Sequence, residues 1–281
     1  MSQIKVAILG GSGIYKLDAI KVKNKINVET PFGNPSGEIL ECEIDGHAFY
    51  FLPRHGVGHK ITPSEVNYRA NIFALKKLGV NTVISISAVG SLKEEFAPRN
   101  FVIIDQFIDW TKGGRKRTFF DEGMVGHVSN ADPIEPALAD RLFEACQRAG
   151  VTVHKGGSYI CIEGPQFSTR AESKLYKSLG AGVIGMTNVP EAFLAKEAGM
   201  AYSTVAMVTD YDGWKEEHCT VTEIMEVMKS NYTFAQKFVV EAIPDLVKNP
   251  ISFEPQNKYA LMTAEEHLTA RHKEILETIL K

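Results

Sequence analysis

Residues 6–13 read Val6-Ala7-Ile8-Leu9-Gly10-Gly11-Ser12-Gly13. An unbroken apolar run that stops at a glycine turn is the pattern of a strand covered on both faces, as in a mostly parallel sheet. The turn brings backbone N–H groups together and Ser12 adds a hydroxyl, so the junction suits an anion. It is equally readable as a plain tight turn. It is not a dinucleotide fingerprint, because GxGxxG starting at Gly11 needs glycine where Lys16 stands, and it lacks the GKS/T of a Walker loop.

The same pattern recurs along the chain. Val83-Ile84-Ser85-Ile86-Ser87-Ala88-Val89-Gly90, Phe101-Val102-Ile103-Ile104 and residues 151–153, 159–162, 183–186 and 202–207 are short apolar runs that predict strands. Helical spacing predicts a helix over 63–79, opened by Pro63 and carrying Tyr68, Ile72, Leu75 and Leu78. Others are predicted over 136–149, from near Arg170, from near Pro190, and over 221–243, where Pro244 should end or kink the helix. Strands alternating with helices imply βαβ units and a parallel or mixed sheet. Residues 20–52 differ: they alternate, and Asp45-Gly46 between two strand-like runs signals a hairpin. Residues 111–132 read as a long surface loop, a length that usually carries function. Beyond Pro250, Thr263-Ala264-Glu265-Glu266 fits a capping box, and Leu268, Ile275, Leu276 and Ile279 form an apolar stripe.

The chain has 281 residues, which at roughly 150 per domain allows two domains or one large one. No repeat or linker divides it, so the expectation is a single α/β domain over 1–249, with a central mixed sheet flanked by helices and a helical tail over 250–281. Lysine and arginine number 31 against 34 aspartate and glutamate, and that near balance gives no reason to expect nucleic acid or an anionic membrane as partner. No apolar run approaches the roughly 18 residues of a membrane span, and the N-terminus lacks the apolar block of a secretory signal. Cys42, Cys146, Cys161 and Cys219 lie far apart with no CxxC, so neither a zinc ribbon nor a disulfide scaffold is suggested. Reduced, buried thiols suit a cytoplasmic protein.

Several strand ends carry polar groups. Pro53-Arg54-His55-Gly56, followed by His59, offers a forked donor and a tunable one to an oxyanion. The plainer alternative is a surface arginine beside a partly buried histidine. Ser87-Ala88-Val89-Gly90-Ser91 is a further strand-end turn with hydroxyls, and Gly185-Met186-Thr187-Asn188-Val189-Pro190-Glu191 joins a strand to a helix. Thr187 there is either an anion donor or an ordinary helix cap. In Glu163-Gly164-Pro165-Gln166-Phe167-Ser168, Phe167 can stack on a planar ring and Ser168 can bond its edge, or the segment is a turn with a hydroxyl cap. Thr209-Asp210-Tyr211-Asp212 ends a strong strand; carboxylates two apart share a direction on an extended backbone, and burial can keep one protonated. Two solvated loop aspartates are the alternative. His127 sits in the long loop, and Val221, Ile224 and Met225 form a stripe that periodicity alone assigns to core.

Taken in order and at these separations, the segments resemble the trimeric purine nucleoside phosphorylase family, within it the branch that acts on 5′-methylthioadenosine. Thr30-Pro31-Phe32-Gly33, Asn67-Tyr68-Arg69-Ala70-Asn71 and Asp105-Gln106-Phe107-Ile108-Asp109 add to the match, which spans roughly residues 4–247. The mammalian-type branch has threonine where Ser12 and Ser87 stand, so the hydroxyl is kept. The resemblance implies a purine nucleoside phosphorylase-like fold and a homotrimer with sites near subunit boundaries. It implies phosphate at Ser12, Arg54, His55, Ser87, Ala88 and Thr187. Phe167 and Met186 would line the nucleoside, Ser168, Asp210 and Asp212 would meet the purine edge, and Asp210 would be the catalytic acid. His59, Val221, Ile224 and Met225 would surround the 5′-alkylthio group, His127 would reach in from the adjacent subunit, and Leu261 and Met262 would close a neighbour's 5′ pocket.

The implied reaction is phosphate-dependent cleavage of 5′-methylthioadenosine to adenine and 5-methylthioribose 1-phosphate, a purine and methionine salvage step. Phosphate is a co-substrate, and no metal or organic cofactor is expected. An ionised Asp212 only accepts hydrogen bonds, which suits the 6-amino group of adenine over a 6-oxopurine. The alternative reactions are phosphorolysis of 5′-methylthioinosine, or of adenosine or inosine.

Overall fold

The continuous apolar runs become interior strands. The computed structural model describes residues 5–11, 19–215 and 221–281. In chain order the elements are β1 (Val6–Gly10), β2 (Lys21–Ile26), β3 (Ile39–Ile44), β4 (His47–Pro53), α1 (Tyr68–Lys77), β5 (Thr82–Ser91), β6 (Phe101–Ile103) and β7 (Gln106–Trp110). They continue with α2 (Pro136–Arg148), β8 (Val153–Lys155), β9 (Ser158–Ile162), α3 (Arg170–Ser178), β10 (Ala181–Gly185), α4 (Asn188–Glu197), β11 (Ala201–Tyr211), α5 (Val221–Lys248) and α6 (Ala270–Ile279). Every residue of β1 and β10 is buried, as are the first nine of β11. That is what strands sandwiched between helices require.

The described strands form one mixed sheet in the order β2-β3-β4-β1-β5-β10-β9-β7, with β11 joining β5 to β6 and β6 pairing β8. Strand β5 pairs in parallel with β1 through Thr82–Ser85 and with β11 along its length, while Gly90 and Ser91 pair antiparallel with β10. Helix α5 packs on β1, β3, β4 and β11, and against α2; α1 packs against α4 and α6. The expected α/β architecture is what is found. The hairpin falls where Asp-Gly placed it: Ile44 pairs with His47, and Asp45 and Gly46 have φ of 48° and 79°. Both central residues take positive φ, the turn that follows the twist of its strands.

Four local expectations are corrected. The helix expected from Pro63 starts at Tyr68, capped by Asn67, whose side chain accepts from the Ala70 N–H; Thr62 and Glu65 close a separate turn before it. Helix α5 continues through Pro244 to Lys248. Burial of Ile243 and Leu246 in the core supports that last turn despite the missing proline donor. The strand expected over 151–153 forms two residues later, beside β6. The capping box lies at Thr269 and His272, opening α6, while the Thr263 hydroxyl accepts from the Val125 N–H. The sequence offered Ser/Thr-x-x-Glu at 263, but the backbone of Val125 in the long loop takes the Thr263 hydroxyl and N–H instead.

Residues 111–132 contain no helix or strand, as expected, but only part of the segment is surface. Arg115, Phe119, Phe120 and Met124 are buried. Arg115 donates to the carbonyls of Val189 (2.7 Å) and Glu163 (2.9 Å). Glu197 accepts from the Thr118 hydroxyl and the Phe119 N–H, both at 2.7 Å. The tail closes over this loop: Gly126 bridges Leu261, and Asn257 Nδ2 donates to the carbonyls of Glu197 and Ile279. Ile275 and Ile279 enter the main core, so the tail's stripe is covered by its own chain.

Burial pushes the Glu197 carboxyl up to about 7, against the two hydrogen bonds that lower it. A carboxyl raised in the folded state stabilises below the ordinary carboxylate range and loses that contribution as pH rises through about 7. The melting temperature of the protein should therefore fall between pH 5 and 8, and Glu197→Gln should flatten that fall; parallel pH profiles for the two proteins would contradict it.

Candidate active site

The register of the sheet gathers the polar strand ends. Gly10 lies beside Pro53, Met207 beside Ala88, and Asp210 beside Gly90. They surround a cavity of about 270 Å³, lined by Gly11, Arg54, His55, His59, Ser87, Ala88, Phe167, Ser168, Met186, Thr187, Asp210, Asp212 and Ile224. Ser12 and the side chain of Val221 lie outside the described residues. His127 is exposed and lies away from this cavity, next to the tail, its N–H donating to the Ala260 carbonyl. Leu261 and Met262 adjoin it, so the three positions implied to serve a neighbouring subunit share one rim.

The anion end differs from expectation in its charges. Arg54 is buried, and its fork is closed on Glu191: Nε and Nη2 donate to the two carboxylate oxygens at 2.6 and 2.8 Å. Nη2 also donates to Ser85 Oγ and the Leu9 carbonyl, and Nη1 to the Ile86 carbonyl. Of five guanidinium N–H groups, one on Nη1 remains for a ligand. His55 was expected as a donor. Its Nδ1 lies 2.8 Å from the Ile61 carbonyl, which can only accept, so Nδ1 carries the proton and Nε2 is left as an acceptor. Burial and the neighbouring Arg54 charge push His55 down to about 4. A neutral His55 therefore suits the protonated oxygen of an anion. Ser87 Oγ and Thr187 Oγ1 lie 3.5 Å apart beside it. Thr187 stands at the N-cap of α4 but its side chain makes no capping hydrogen bond, and Val189 interrupts that helix with φ −115° and ψ 125°, so the hydroxyl is left to the cavity.

At the other end Asp210 and Asp212 face the cavity from one side. A bulge at Thr209, where β11 slips against β5, aims Asp210 inward. Thr209 Oγ1 lies 2.6 Å from Asp210 Oδ1. Asp212 is held by its backbone N–H on the Ser91 carbonyl, to which Trp214 Nε1 also donates. Burial raises both carboxyls. Ser173 and Ser168 stand close enough to lower the Asp212 carboxyl against burial, yet Ser168 Oγ and Asp212 Oδ2 form no well-aligned hydrogen bond among the described residues, as polar groups do when a ligand completes them. Ser168 is not a cap, because Thr169 and Glu172 form the capping box of α3. Phe167 lines the mouth and is 71% exposed.

The apolar end is built from α5, and one expectation fails. Met225 is 59% exposed and does not line the cavity. The lining face is Ile224, Met228 and Tyr232, spaced by four. Position 225 points away by one residue's rotation, about 100°. Tyr232 and Met228 escaped the sequence reading, although that spacing was there to find. A Cβ on Gly11 would stand 3.1 Å from the Tyr232 hydroxyl, so the bare glycine lets this tyrosine come close without its ring having to give way.

Residues 5–244 match the model of the phosphorylase superfamily. The S-methyl-5′-thioadenosine phosphorylase of Geobacter sulfurreducens is 48% identical over all of this chain and 99% of its own length. The chain belongs to the S-methyl-5′-thioadenosine phosphorylase family. A second member, from Thermofilum pendens, is 49% identical over 88% of this chain and 94% of its own. Among solved structures, a methylthioadenosine phosphorylase from an Antarctic soil metagenomic library superposes with a TM-score of 0.93 at 44% identity, both chains fully covered. A mutant adenosine/methylthioadenosine phosphorylase from Schistosoma mansoni, in complex with methylthioadenosine, gives 0.82 at 36% identity over 88% of this chain and 93% of its own.

Among the described residues, no group of three or more His, Cys, Asp or Glu side chains could hold a metal, and no helix is long and apolar enough to cross a membrane. Cys42, Cys146 and Cys161 are buried free thiols; Cys219 lies outside the described residues. In this family member the Thr209 hydroxyl lowers the Asp210 carboxyl against the larger effect of burial. Thr209→Val removes the lowering bond, so any alkaline limb in kcat/KM that reports Asp210 should move to higher pH; an unmoved limb would assign that titration elsewhere.

Proposed function

We propose that the chain cleaves 5′-methylthioadenosine with inorganic phosphate, releasing adenine and 5-methylthioribose 1-phosphate. The observation that carries this reading is the convergence of two partly desolvated carboxyls and a strand-end anion cradle on one cavity. The named relatives support the same substrate. Phosphate occupies Ser12, Arg54, His55, Ser87, Ala88 and Thr187, and attacks C1′ as the C1′–N9 bond breaks. The bound anion also faces the positive charge that develops on the sugar. Asp210, raised by burial, protonates N7 so that adenine leaves neutral. Asp212 accepts from the 6-amino group, Ser168 bonds the purine edge and Phe167 covers its face. Met186 lies against the ribose. His59 and Ile224, joined by Met228 and Tyr232, receive the 5′ substituent.

Phosphate is the only co-substrate this chemistry needs. We assign the chain to salvage of purine and methionine carbon in the cytoplasm, where free buried thiols such as Cys42 persist. In the proposed homotrimer, His127, Leu261 and Met262 of one subunit complete the open mouth of the next. On this reading residues 1–249 are the catalytic domain and 250–281 a tail that serves the interface. Adenosine is a second substrate on this reading: the Tyr232 hydroxyl gives a 5′-OH a partner in the lining, and the Schistosoma relative carries adenosine in its name.

The test is a panel of methylthioadenosine, adenosine, inosine and methylthioinosine with and without phosphate. Cleavage should require phosphate, yield the sugar 1-phosphate and favour the 6-amino substrates; turnover unaffected by phosphate removal would assign hydrolysis instead. Asp212→Asn should lower kcat/KM for methylthioadenosine by about 10–100-fold, the worth of a hydrogen bond to a charged group, and raise the inosine-to-adenosine ratio. An unchanged ratio would remove Asp212 from base selection.

A further inference from the structure

Arg54 belongs to a closed ring of side chains beneath the anion cradle. Its Nη2 donates to Ser85 Oγ at 2.7 Å. Asn188 Nδ2 donates to the same oxygen and to the Tyr202 hydroxyl, both at 2.7 Å. Tyr202 donates to Glu191 Oε1 at 2.9 Å, and Glu191 closes the ring on Arg54. All five side chains are in residues no more than 2% exposed. The directions are forced: a guanidinium only donates and an ionised carboxylate only accepts.

Glu191 lies four residues after Thr187, on the junction that supplies that hydroxyl. The Arg54–Glu191 pair therefore ties the end of β4 to the end of β10. It takes the bidentate face of the guanidinium and leaves one Nη1 N–H for a ligand. Among the described residues that line the cavity it also neutralises the one arginine, and His55 beside it is neutral.

We propose that Glu191 is a positioning residue for phosphate: it fixes Arg54 so that the anion is held by directed hydrogen bonds rather than by an excess of positive charge. The proposal rests on the phosphorolytic reading above. Two roles for Glu191 give opposite signs. If the carboxylate only neutralised Arg54, removing it would expose a bare cation and tighten phosphate binding. If it positions Arg54, removing it frees the side chain and weakens binding.

The test uses the full chain and inorganic phosphate. Phosphate binding is measured by calorimetry, and KM for phosphate and for methylthioadenosine by steady-state kinetics. Glu191→Gln should raise the phosphate Kd and KM by about tenfold or more, the scale of a lost charged hydrogen bond, with KM for methylthioadenosine within about twofold. Glu191→Asp keeps the charge but retracts the carboxylate by one methylene, and should weaken phosphate binding as well. Tyr202→Phe removes one bond to Glu191 and should act in the same direction, by less; it decides the matter alone if the Glu191 variants do not fold. Phosphate binding unchanged or tightened in the folded variants overturns the proposal, as does a parallel rise of both KM values. If the wild-type chain binds phosphate but turns over without it, the phosphorolytic reading fails while the calorimetric comparison still decides the role of Glu191.

Discussion

Strand β5 constrains everything around it. It is hydrogen-bonded to β1, β11 and β10, and buried backbone groups must all find partners. A slip of one residue would turn every side chain to the opposite face, sending Ser85 and Ser87 where Ile86 and Ala88 now point. The two serines sit two apart and share a direction. Ser85 serves the ring under Arg54, and Ser87 serves the cavity. The same pairing fixes Asp210 beside Gly90, so one strand sets the distance between the anion end and the base end.

The electrostatics follow from burial. An ion pair as enclosed as Arg54–Glu191 is weak evidence for stability, because desolvating both charges offsets their attraction. Its partners and its place beneath the cavity give it a different reason to exist. With His55 neutral, the proposed cradle is a set of oriented dipoles around buried Arg54, where directed donors are worth more than in water. A chain of net charge −3 can thus offer the proposed anion site without a surplus of positive charge there.

The strands and most helices were legible because period and burial agree in them: unbroken apolar runs, and helices with one apolar side. The first helix starts at Tyr68 because two local side-chain contacts, the Asn67 cap and the Thr62–Glu65 turn, override the Pro63 signal. What else escaped was set by distant partners, and nothing local carries α5 past Pro244. The tail's capping box went to Thr269 because Thr263 is taken by Val125 across more than a hundred residues of chain. Most of the site was readable, since strand-end hydroxyls and carboxylates announce themselves by type. Its charge state was not. Glu191 stood within a quoted segment without a role, because only the fold brings it to Arg54, and the protonation of His55 depends on a carbonyl at Ile61. The Met225 error came from extending the stripe four residues on from Val221, whereas the cavity follows the row that starts at Ile224 and runs through Met228 and Tyr232.

The closed ring also bears on how such a chain can change over generations. Each of its five members holds two others, so replacing any one removes a hydrogen bond from two buried neighbours at once. Substitutions there are coupled, and no single step is neutral. Among the described residues the Ile224, Met228 and Tyr232 face carries no such ring, so an exchange there breaks fewer bonds. Drift is therefore channelled to the sugar's far end: substrate range is open to evolution in this fold, while the use of phosphate is held in place by epistasis.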